Sequence, residues 1–293
     1  MTDFQTAYQQ YKELVDQALA NYFDVPDAPH HVLLDSMRYS LNAGGKRLRP
    51  VLVLAFCQAC GGDIHAALPV ACAIEMVHTY SLIHDDLPCM DDDDLRRGKP
   101  TNHIIYGECT ATLAGDALQA EAFHTILSAD LPAEVRAECA RLLSVAAGIE
   151  GICGGQQLDM EGETKALSRE ELLEIHKRKT ASMLVAACRM GIACGQGSAA
   201  QIDAANRYAE AMGLAFQIRD DMLDQISTEE ELGKPIGSDA QEQKTTFMSL
   251  YGLAHCEQEV HELTEQAVEA VAGQFENADF LQALALSMEV RRN

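Results

Sequence analysis

Apolar residues recur at three- and four-residue intervals along most of this 293-residue chain, and this periodicity limits the possible folds more than any other feature. It is clearest in Leu173–Cys194, Ala199–Asp224 and Leu253–Val271. No run of alternating β-branched residues is visible, and breaks containing Gly or Pro separate the apolar segments. The pattern predicts an all-α protein of roughly ten or more helices with short connections. Because no Ser- or Pro-rich linker interrupts the chain, we expect a single domain over residues 1–293.

The charge and cysteine content argue against several classes of protein. The net charge is −23, which disfavours binding to nucleic acid or to anionic lipid. No run of about eighteen uncharged apolar residues is present, so no membrane span is predicted. The N-terminus does not resemble a signal peptide, and the ten cysteines therefore suggest reduced thiols in a cytoplasmic protein.

The densest polar feature is an acidic run that directly follows the apolar segment Ala71–Ile83. Six carboxylates lie within ten residues, at Asp85, Asp86 and 91–94. Such runs are usually solvated loops. Here, however, the first aspartates come at the end of a predicted helix, where like charges repel and the helix dipole disfavours anions. A divalent cation would offset that cost, and Mg²⁺ suits carboxylate oxygens that leave room for water and phosphate.

A second acidic motif occurs in the predicted helix Ala199–Asp224. Asp220 and Asp224 are four residues apart and therefore share one helix face. A single DDxxD string arises easily by chance, but a second one, 135 residues from the first when counted from Asp85 to Asp220, is a much stronger signal. We expect two acidic walls that face each other across a cavity in a helical bundle.

Basic residues accompany both acidic motifs. Lys46 and Arg49 follow Gly44-Gly45 at the start of an apolar segment, where close backbone approach and a helix N-terminus favour phosphate. The other candidates are Arg96, Arg97, Lys177, Arg178, Lys179 and Lys234. Each alone would usually be a surface cation, but their repeated placement beside glycines or aspartates indicates a shared diphosphate site.

His78 precedes Asp85 by seven residues, which places both on the same face of one predicted helix. A single histidine in this setting is often a structural hydrogen-bonding group. Its alignment with Asp85 makes contact with a substrate an equally good interpretation.

These motifs together resemble the short-chain trans-polyprenyl diphosphate synthases, and in particular those of the bacterial farnesyl diphosphate synthase (geranyltranstransferase) type. The resemblance extends from about Met37 to Thr246. It rests on GGKRLRP, DDLPCMD, GGQQLD, HKRKT, FQIRDDMLD and LGKPIGSD, which occur in the family order. The resemblance implies the isoprenoid synthase fold, an antiparallel helical bundle around a deep central cavity that is usually assembled as a homodimer.

The resemblance also implies a magnesium site formed by the two acidic motifs. Asp85 and Asp91 would hold two of about three Mg²⁺ ions and Asp220 the third, and Mn²⁺ is expected to substitute. The implied metal ligands are Asp85, Asp86, Asp91, Asp220, Asp221 and Asp224.

Two diphosphate pockets are implied in the same way. The allylic diphosphate would contact Arg96, Lys179 and Lys234. Isopentenyl diphosphate would contact Lys46, Arg49, His78 and Arg97. Thr180 and Gln217 correspond to residues whose oxygens face the developing carbocation.

The implied reaction joins isopentenyl diphosphate to dimethylallyl and then geranyl diphosphate to give (E,E)-farnesyl diphosphate. Tyr80 and Ser81, just before Asp85, are the implied chain-length residues, since an aromatic there typically accompanies a fifteen-carbon product. Geranyl or geranylgeranyl diphosphate remains an alternative product.

Two other classes of protein share some of these features and are less favoured alternatives. An HD-type metal phosphohydrolase is suggested by His84-Asp85, although it would need further histidines. A non-catalytic partner subunit would be expected to lack one aspartate motif, whereas this chain has both.

Overall fold

The helix Ile64–Asp85 is apolar along most of its length and is buried on almost every side. In the computed structural model, residues 3–25, 27–163, 165–226 and 245–290 are described. We number the helices in chain order: α1 Asp3–Ala20, α2 His31–Leu41, α3 Leu48–Ala59, α4 Ile64–Asp85, α5 Asn102–Tyr106, α6 Glu108–Ser128, α7 Ala133–Ala147, α8 Ile152–Gly162, α9 Arg169–His176, α10 Ser182–Cys194, α11 Ala199–Ile226, α12 Phe247–Tyr251, α13 Leu253–Val271 and α14 Asp279–Glu289.

α4 forms the centre of a helical bundle. It packs against α3, α6 and α10, while α11 packs against α10 and α13. Small residues let these helices approach closely: a Cβ added at Gly191 of α10 would lie 2.5 Å from the carbonyl oxygen of Val53 in α3. Buried apolar side chains extend from Val15 in α1 to Met288 in α14. The prediction of an all-α bundle is therefore confirmed.

α4 is also long and apolar enough to cross a membrane when length and composition alone are considered. In the bundle, 72% of its most apolar window is buried against other helices. Its charged residue Glu75 is 2% exposed and pairs with Arg47. The packing therefore accounts for the apolar character of α4, as expected for a helix that is hydrophobic on all sides.

Two local features differ from the sequence prediction. The segment predicted as one helix, Leu173–Cys194, contains a π-helical turn at Lys177–Ala181 between α9 and α10. A short antiparallel pair, β1 Leu95–Arg96 and β2 Lys99–Pro100, follows the first acidic motif. Both irregular elements carry candidate site residues, and π-helical turns often occur at functional sites.

Candidate active site

The first acidic motif curls back on the end of α4. The N–H of Asp91 donates a hydrogen bond of 2.9 Å to the carbonyl oxygen of Asp85, and that of Asp92 donates one of 3.2 Å to Leu87. The loop therefore returns the backbone of Asp91 to Asp85. Burial raises the pKa of Asp85 to about 6, and the neighbouring carboxylates of Asp91 and Asp86 act in the same direction. Negative charge is thus concentrated at this helix end.

A tight hairpin places the two arginines that follow this motif. Arg97 and Gly98 both have positive φ, 53° and 72°, and they connect β1 to β2 as a type I′ turn does. Arg96 Nε donates to Asp86 Oδ1 at 2.6 Å, and Arg96 also lies 3.3 Å from Asp93. Arg97 turns the other way and donates to the carbonyl oxygen of Gly44. The hairpin thereby directs adjacent cations to different parts of the site.

The second acidic motif lies in the last two turns of α11. Asp221 is 5% exposed, and its Oδ2 accepts the backbone N–H of Phe247 at 2.9 Å. Gln217 Nε2 approaches the other oxygen of Asp221 at 3.4 Å. Asp224 is buried and Asp220 is half-buried. The backbone at the start of α12 therefore helps to fix the orientation of Asp221.

The π-helical turn lies between the two acidic motifs. Lys179 Nζ pairs with Asp159 Oδ2 at 2.6 Å, and its charge acts to lower the pKa of Asp85. Thr180 Oγ1 donates to Gln217 Oε1 at 3.1 Å. A cleft of about 200 Å³ is lined by Asp159, Lys179, Gln217 and Asp221, among others. Lys179 thus lies in the cleft with Asp221 and near the charge of Asp85.

A cluster of positive charge lies at His78, two turns before Asp85 on α4. Arg49 Nη1 lies 3.3 Å from His78 Nε2, and the buried Nε of Arg49 has no hydrogen-bond partner in the described part of the chain. Burial and the charges of Arg49 and Arg97 hold the pKa of His78 well below its usual value, so its imidazole is neutral. Lys46 precedes α3 with its side chain exposed. This cluster suits an anion.

An open pocket of about 170 Å³ begins at Asp85 and is lined by Tyr80, Ser81, Ile152, Cys153 and Met160, among others. The Tyr80 ring is 5% exposed, and its hydroxyl lies 3.4 Å from the carbonyl oxygen of Ala147 and 3.6 Å from Cys153 Sγ. The pocket can accept an apolar chain that leads away from Asp85.

The predicted site residues lie on a few elements of the structure. The candidate residues that the structure describes group around α4, the π-helical turn and the end of α11, whereas Lys234 lies outside the described residues. Sequence reasoning did not find the side chains that hold these groups: Arg47, Glu75, Gln156, Asp159, His176 and Phe247. Gln156 and Asp159 fall in the quoted GGQQLD motif, which could have drawn attention to them.

His176 lines the same cleft as Lys179. Its ring stacks on Phe247 with centroids 5.6 Å apart, and its Nε2 is buried without a hydrogen-bond partner among the described residues. Burial lowers the pKa of His176 to about 4, which keeps the ring neutral. The stacking joins α9 to the segment that supports Asp221.

The carboxylates suit a magnesium ion that is bound partly by the protein and partly by the substrate. Within the described ranges, no three His, Cys, Asp or Glu side chains are close enough to form a complete protein site. Mg²⁺ is usually held by one or two carboxylates together with waters and substrate phosphates. Because burial and neighbouring carboxylates raise the pKa of both Asp85 and Asp86 to about 6, a nearby cation would favour their ionised forms.

Comparison with known proteins identifies the family. The polyprenyl synthetase family model matches residues 30–285. The chain is 47% identical over 271 residues to a farnesyl diphosphate synthase from Geobacillus stearothermophilus, covering 92% of this chain and 90% of that protein. It is also 47% identical over 267 residues to a geranylgeranyl diphosphate synthase from Cyanophora paradoxa, covering 89% and 87%. An apo crystal structure of an FPP/GFPP synthase from Zymomonas mobilis aligns with a TM-score of 0.88 and 36% identity, covering 98% of this chain and 99% of that one.

The chain belongs to the polyprenyl synthetase family. The predicted resemblance and the prediction of a prenyltransferase are confirmed, and the family uses Mg²⁺. The phosphohydrolase alternative is wrong. His84, which suggested it, lies with its Nε2 3.0 Å from the carbonyl oxygen of Thr112 on α6.

Proposed function

We propose that the chain condenses isopentenyl diphosphate with dimethylallyl and then geranyl diphosphate to give (E,E)-farnesyl diphosphate. The observation that carries the proposal is the continuous arrangement around α4. Along this helix lie, in order, His78 of the anion-suited cluster with Arg49, Tyr80 of the apolar pocket and Asp85 of the first acidic motif. Farnesyl and geranylgeranyl synthases are similar to this chain to the same degree, so the pocket, rather than identity, favours the fifteen-carbon product.

Magnesium would be held at the two acidic motifs. Asp85 and Asp91, supported by Asp86, are proposed ligands of two ions, and Asp220, with Asp221 and Asp224 nearby, of a third. When bound, these ions stabilise the negative charge of the departing diphosphate, and Mn²⁺ can supply the same charge.

Arg96 and Lys179 would bind the allylic diphosphate by exchanging a carboxylate partner for diphosphate oxygens. Arg96 and Lys179 each contact a carboxylate, Asp86 and Asp159 respectively. Diphosphate oxygens can replace these partners because charge-assisted bonds to phosphate are at least as favourable. Lys234 is a further proposed ligand. Both cations would then stabilise charge that develops as the C–O bond breaks.

Condensation follows as the allylic C–O bond breaks and its electron pair leaves with the diphosphate. The double bond of isopentenyl diphosphate, held by Lys46, Arg49, His78 and Arg97, then attacks the allylic carbocation, and a proton is lost to the released diphosphate. Thr180 and Gln217, linked at 3.1 Å, present oxygen lone pairs that stabilise the cation. Apolar side chains exclude water, which would otherwise quench it.

A product assay tests this proposal. The purified protein is supplied with isopentenyl diphosphate, Mg²⁺ and either dimethylallyl or geranyl diphosphate, and the dephosphorylated products are separated by chromatography. A main product of fifteen carbons is expected. A ten- or twenty-carbon main product would support the alternative specificity, whereas no condensation would contradict the proposed function.

We expect activity to be lost in excess EDTA and restored by added Mg²⁺ or Mn²⁺. The protein carries a net charge of −23 and both substrates are anionic, so Arg and Lys side chains alone leave the diphosphates short of counter-charge. Initial rates before and after metal addition measure this effect, with zinc-free buffers as the control. Full activity in the chelator would show that the acidic motifs have another role.

We also propose that two copies of the chain associate. Large apolar side chains are exposed on four successive segments, α5, α6, α7 and the turn after α7: Ile104, Ile105, Leu113, Leu127, Val145 and Ile149. We propose that these side chains form one apolar surface, which commonly marks a protein interface. Light scattering should give twice the chain mass of 31.9 kDa for the native protein, and Leu113→Asp should reduce it. A monomeric native protein would contradict the proposal.

The chain is further proposed to be one cytoplasmic domain. Buried residues from its first to its last helix belong to one apolar core. All ten cysteines are free thiols, the state that a reducing compartment maintains. Cell fractionation of a tagged chain would test the location, and a single cooperative unfolding transition would test the domain.

A further inference from the structure

The turn Gly44–Arg47, which connects α2 to α3, has an uncommon backbone. Gly44 and Gly45 have φ values of 87° and 119°, and Arg47 adopts a left-handed conformation with a φ of 56°. A non-glycine residue in this region is strained, so surrounding contacts must hold it there. The contacts that do so come largely from α1 and α4.

The side chain of Arg47 is bound on every side. It is 2% exposed, and its Nη1 donates to Glu75 Oε1 of α4 at 2.7 Å. Its Nε donates to Asp16 Oδ1 of α1 at 2.9 Å, and its Nη2 donates to the carbonyl oxygen of Leu41 at 2.7 Å. Arg47 therefore serves as an anchor rather than as a ligand for substrate.

A second contact from α1 reaches the same turn. The hydroxyl of Tyr8 donates to the carbonyl oxygen of Lys46 at 2.8 Å. Tyr8 and Asp16 lie two helical turns apart, so they face the turn together. The family model begins at residue 30, so α1 lies outside the part of the chain that it matches.

The turn Gly44–Arg47 also positions the cations of the proposed isopentenyl diphosphate pocket. Arg49 follows Arg47 by two residues and contacts His78, which lies three residues after Glu75 on α4. Arg97 donates to the carbonyl oxygen of Gly44 and covers Gly45 so closely that a Cβ there would lie 2.6 Å from its Cζ. A shift of the turn would therefore move Arg49 and Arg97 relative to each other.

We propose that α1 is a positioning element for the isopentenyl diphosphate pocket, in which Tyr8 and Asp16 hold the turn Gly44–Arg47 so that Arg49 and Arg97 converge. This inference rests on the proposed function. Because Glu75 is engaged by Arg47, Arg49 and Arg97 keep their positive charge available for an anion. Tyr8 and Asp16 act through the turn and do not contact the substrate.

Tyr8→Phe and Asp16→Asn test the inference: the first removes the hydrogen bond to Lys46, the second removes the charge that pairs with Arg47, and both keep the side-chain shape. Calorimetric titration with isopentenyl diphosphate alone should show its Kd raised about three- to tenfold by each change, as expected for the loss of one hydrogen bond. The KM for isopentenyl diphosphate should rise in parallel, whereas kcat and the KM for geranyl diphosphate should stay within about twofold of the native values.

Glu13→Gln is the matched control, because Glu13 lies on the exposed side of α1 and the change removes the same charge as Asp16→Asn. It should leave the Kd unchanged, and Asp16→Glu should restore part of the native affinity. Circular dichroism and melting temperature establish that the variants fold.

A lower melting temperature with an unchanged Kd in Tyr8→Phe and Asp16→Asn would overturn the inference, because α1 would then be a purely structural helix. Equal increases in the KM of both substrates would overturn it as well. Failure of the native protein to bind isopentenyl diphosphate would instead contradict the proposed function.

Discussion

Replacing Asp85 or Asp220 with alanine should lower kcat by at least about a thousandfold while the fold is retained. Each carboxylate is proposed to hold a magnesium ion whose charge is needed mainly in the transition state, and interactions of this kind affect kcat more than substrate binding. Single-turnover rates with geranyl and isopentenyl diphosphate measure the effect. Asp94→Ala, which removes an exposed carboxylate from the same acidic run, is the matched control and should stay within about tenfold of the native rate.

The same substitution at Asp85 should not lower the stability of the protein. Burial raises the pKa of Asp85 to about 6, so at pH 7 its charged form is less favourable in the folded protein than in the unfolded chain. Removing the carboxyl therefore removes an unfavourable charge, and thermal unfolding should occur at the same or a higher temperature. A stable Asp85→Ala protein that turns over at near-native rates would refute the two-wall arrangement of metal ligands.

The sequence predicted most of the fold because helical periodicity is a local property. α13 spans the predicted Leu253–Val271, and α11 begins at the predicted residue and extends to Ile226. The π-helical turn was missed because its cause is not local. A Cβ at Gly155 of α8 would lie 2.4 Å from the backbone nitrogen of Lys179, so α8 packs directly against the turn, a contact between segments that are distant in sequence.

In the candidate site, too, features that are local in sequence were predicted and those set by distant contacts were not. Runs of aspartate and basic residues are visible in the sequence, and their types indicate the chemistry. The supporting side chains are distant in sequence and ordinary in type: Arg47 pairs with Glu75, and Lys179 pairs with Asp159. Arg47 appears in a motif that suggests phosphate binding, yet its charge is used within the fold. Only the structure separates anchors from groups that are available to substrate.

The length of the product should depend on Tyr80. In α4 it precedes Asp85 by five residues, which corresponds to roughly 6–8 Å along the helix. It lines the pocket that begins at Asp85, and its hydroxyl lies 3.6 Å from Cys153 on the opposite wall. Ser81 Oγ donates to the carbonyl oxygen of His78, so its side chain is turned toward the helix backbone. Tyr80 is therefore the largest side chain available on this helix to stop a growing chain.

Tyr80→Ala should shift the main product from fifteen carbons to twenty or more while the allylic substrate is still ionised. The change removes the aromatic ring from the pocket without altering the proposed metal ligands, so condensation continues after the farnesyl stage. Tyr80→Phe is the control: it keeps the ring, loses only the weak contacts of the hydroxyl, and should retain the fifteen-carbon product. Chromatography of the dephosphorylated products distinguishes the two.

The alanine substitution also removes a buried ring, which typically costs about 3–5 kcal/mol of unfolding free energy, so assays are best made well below the melting temperature. An active Tyr80→Ala enzyme that still stops at fifteen carbons would show that another wall of the pocket, such as the one formed by Cys153, limits chain growth.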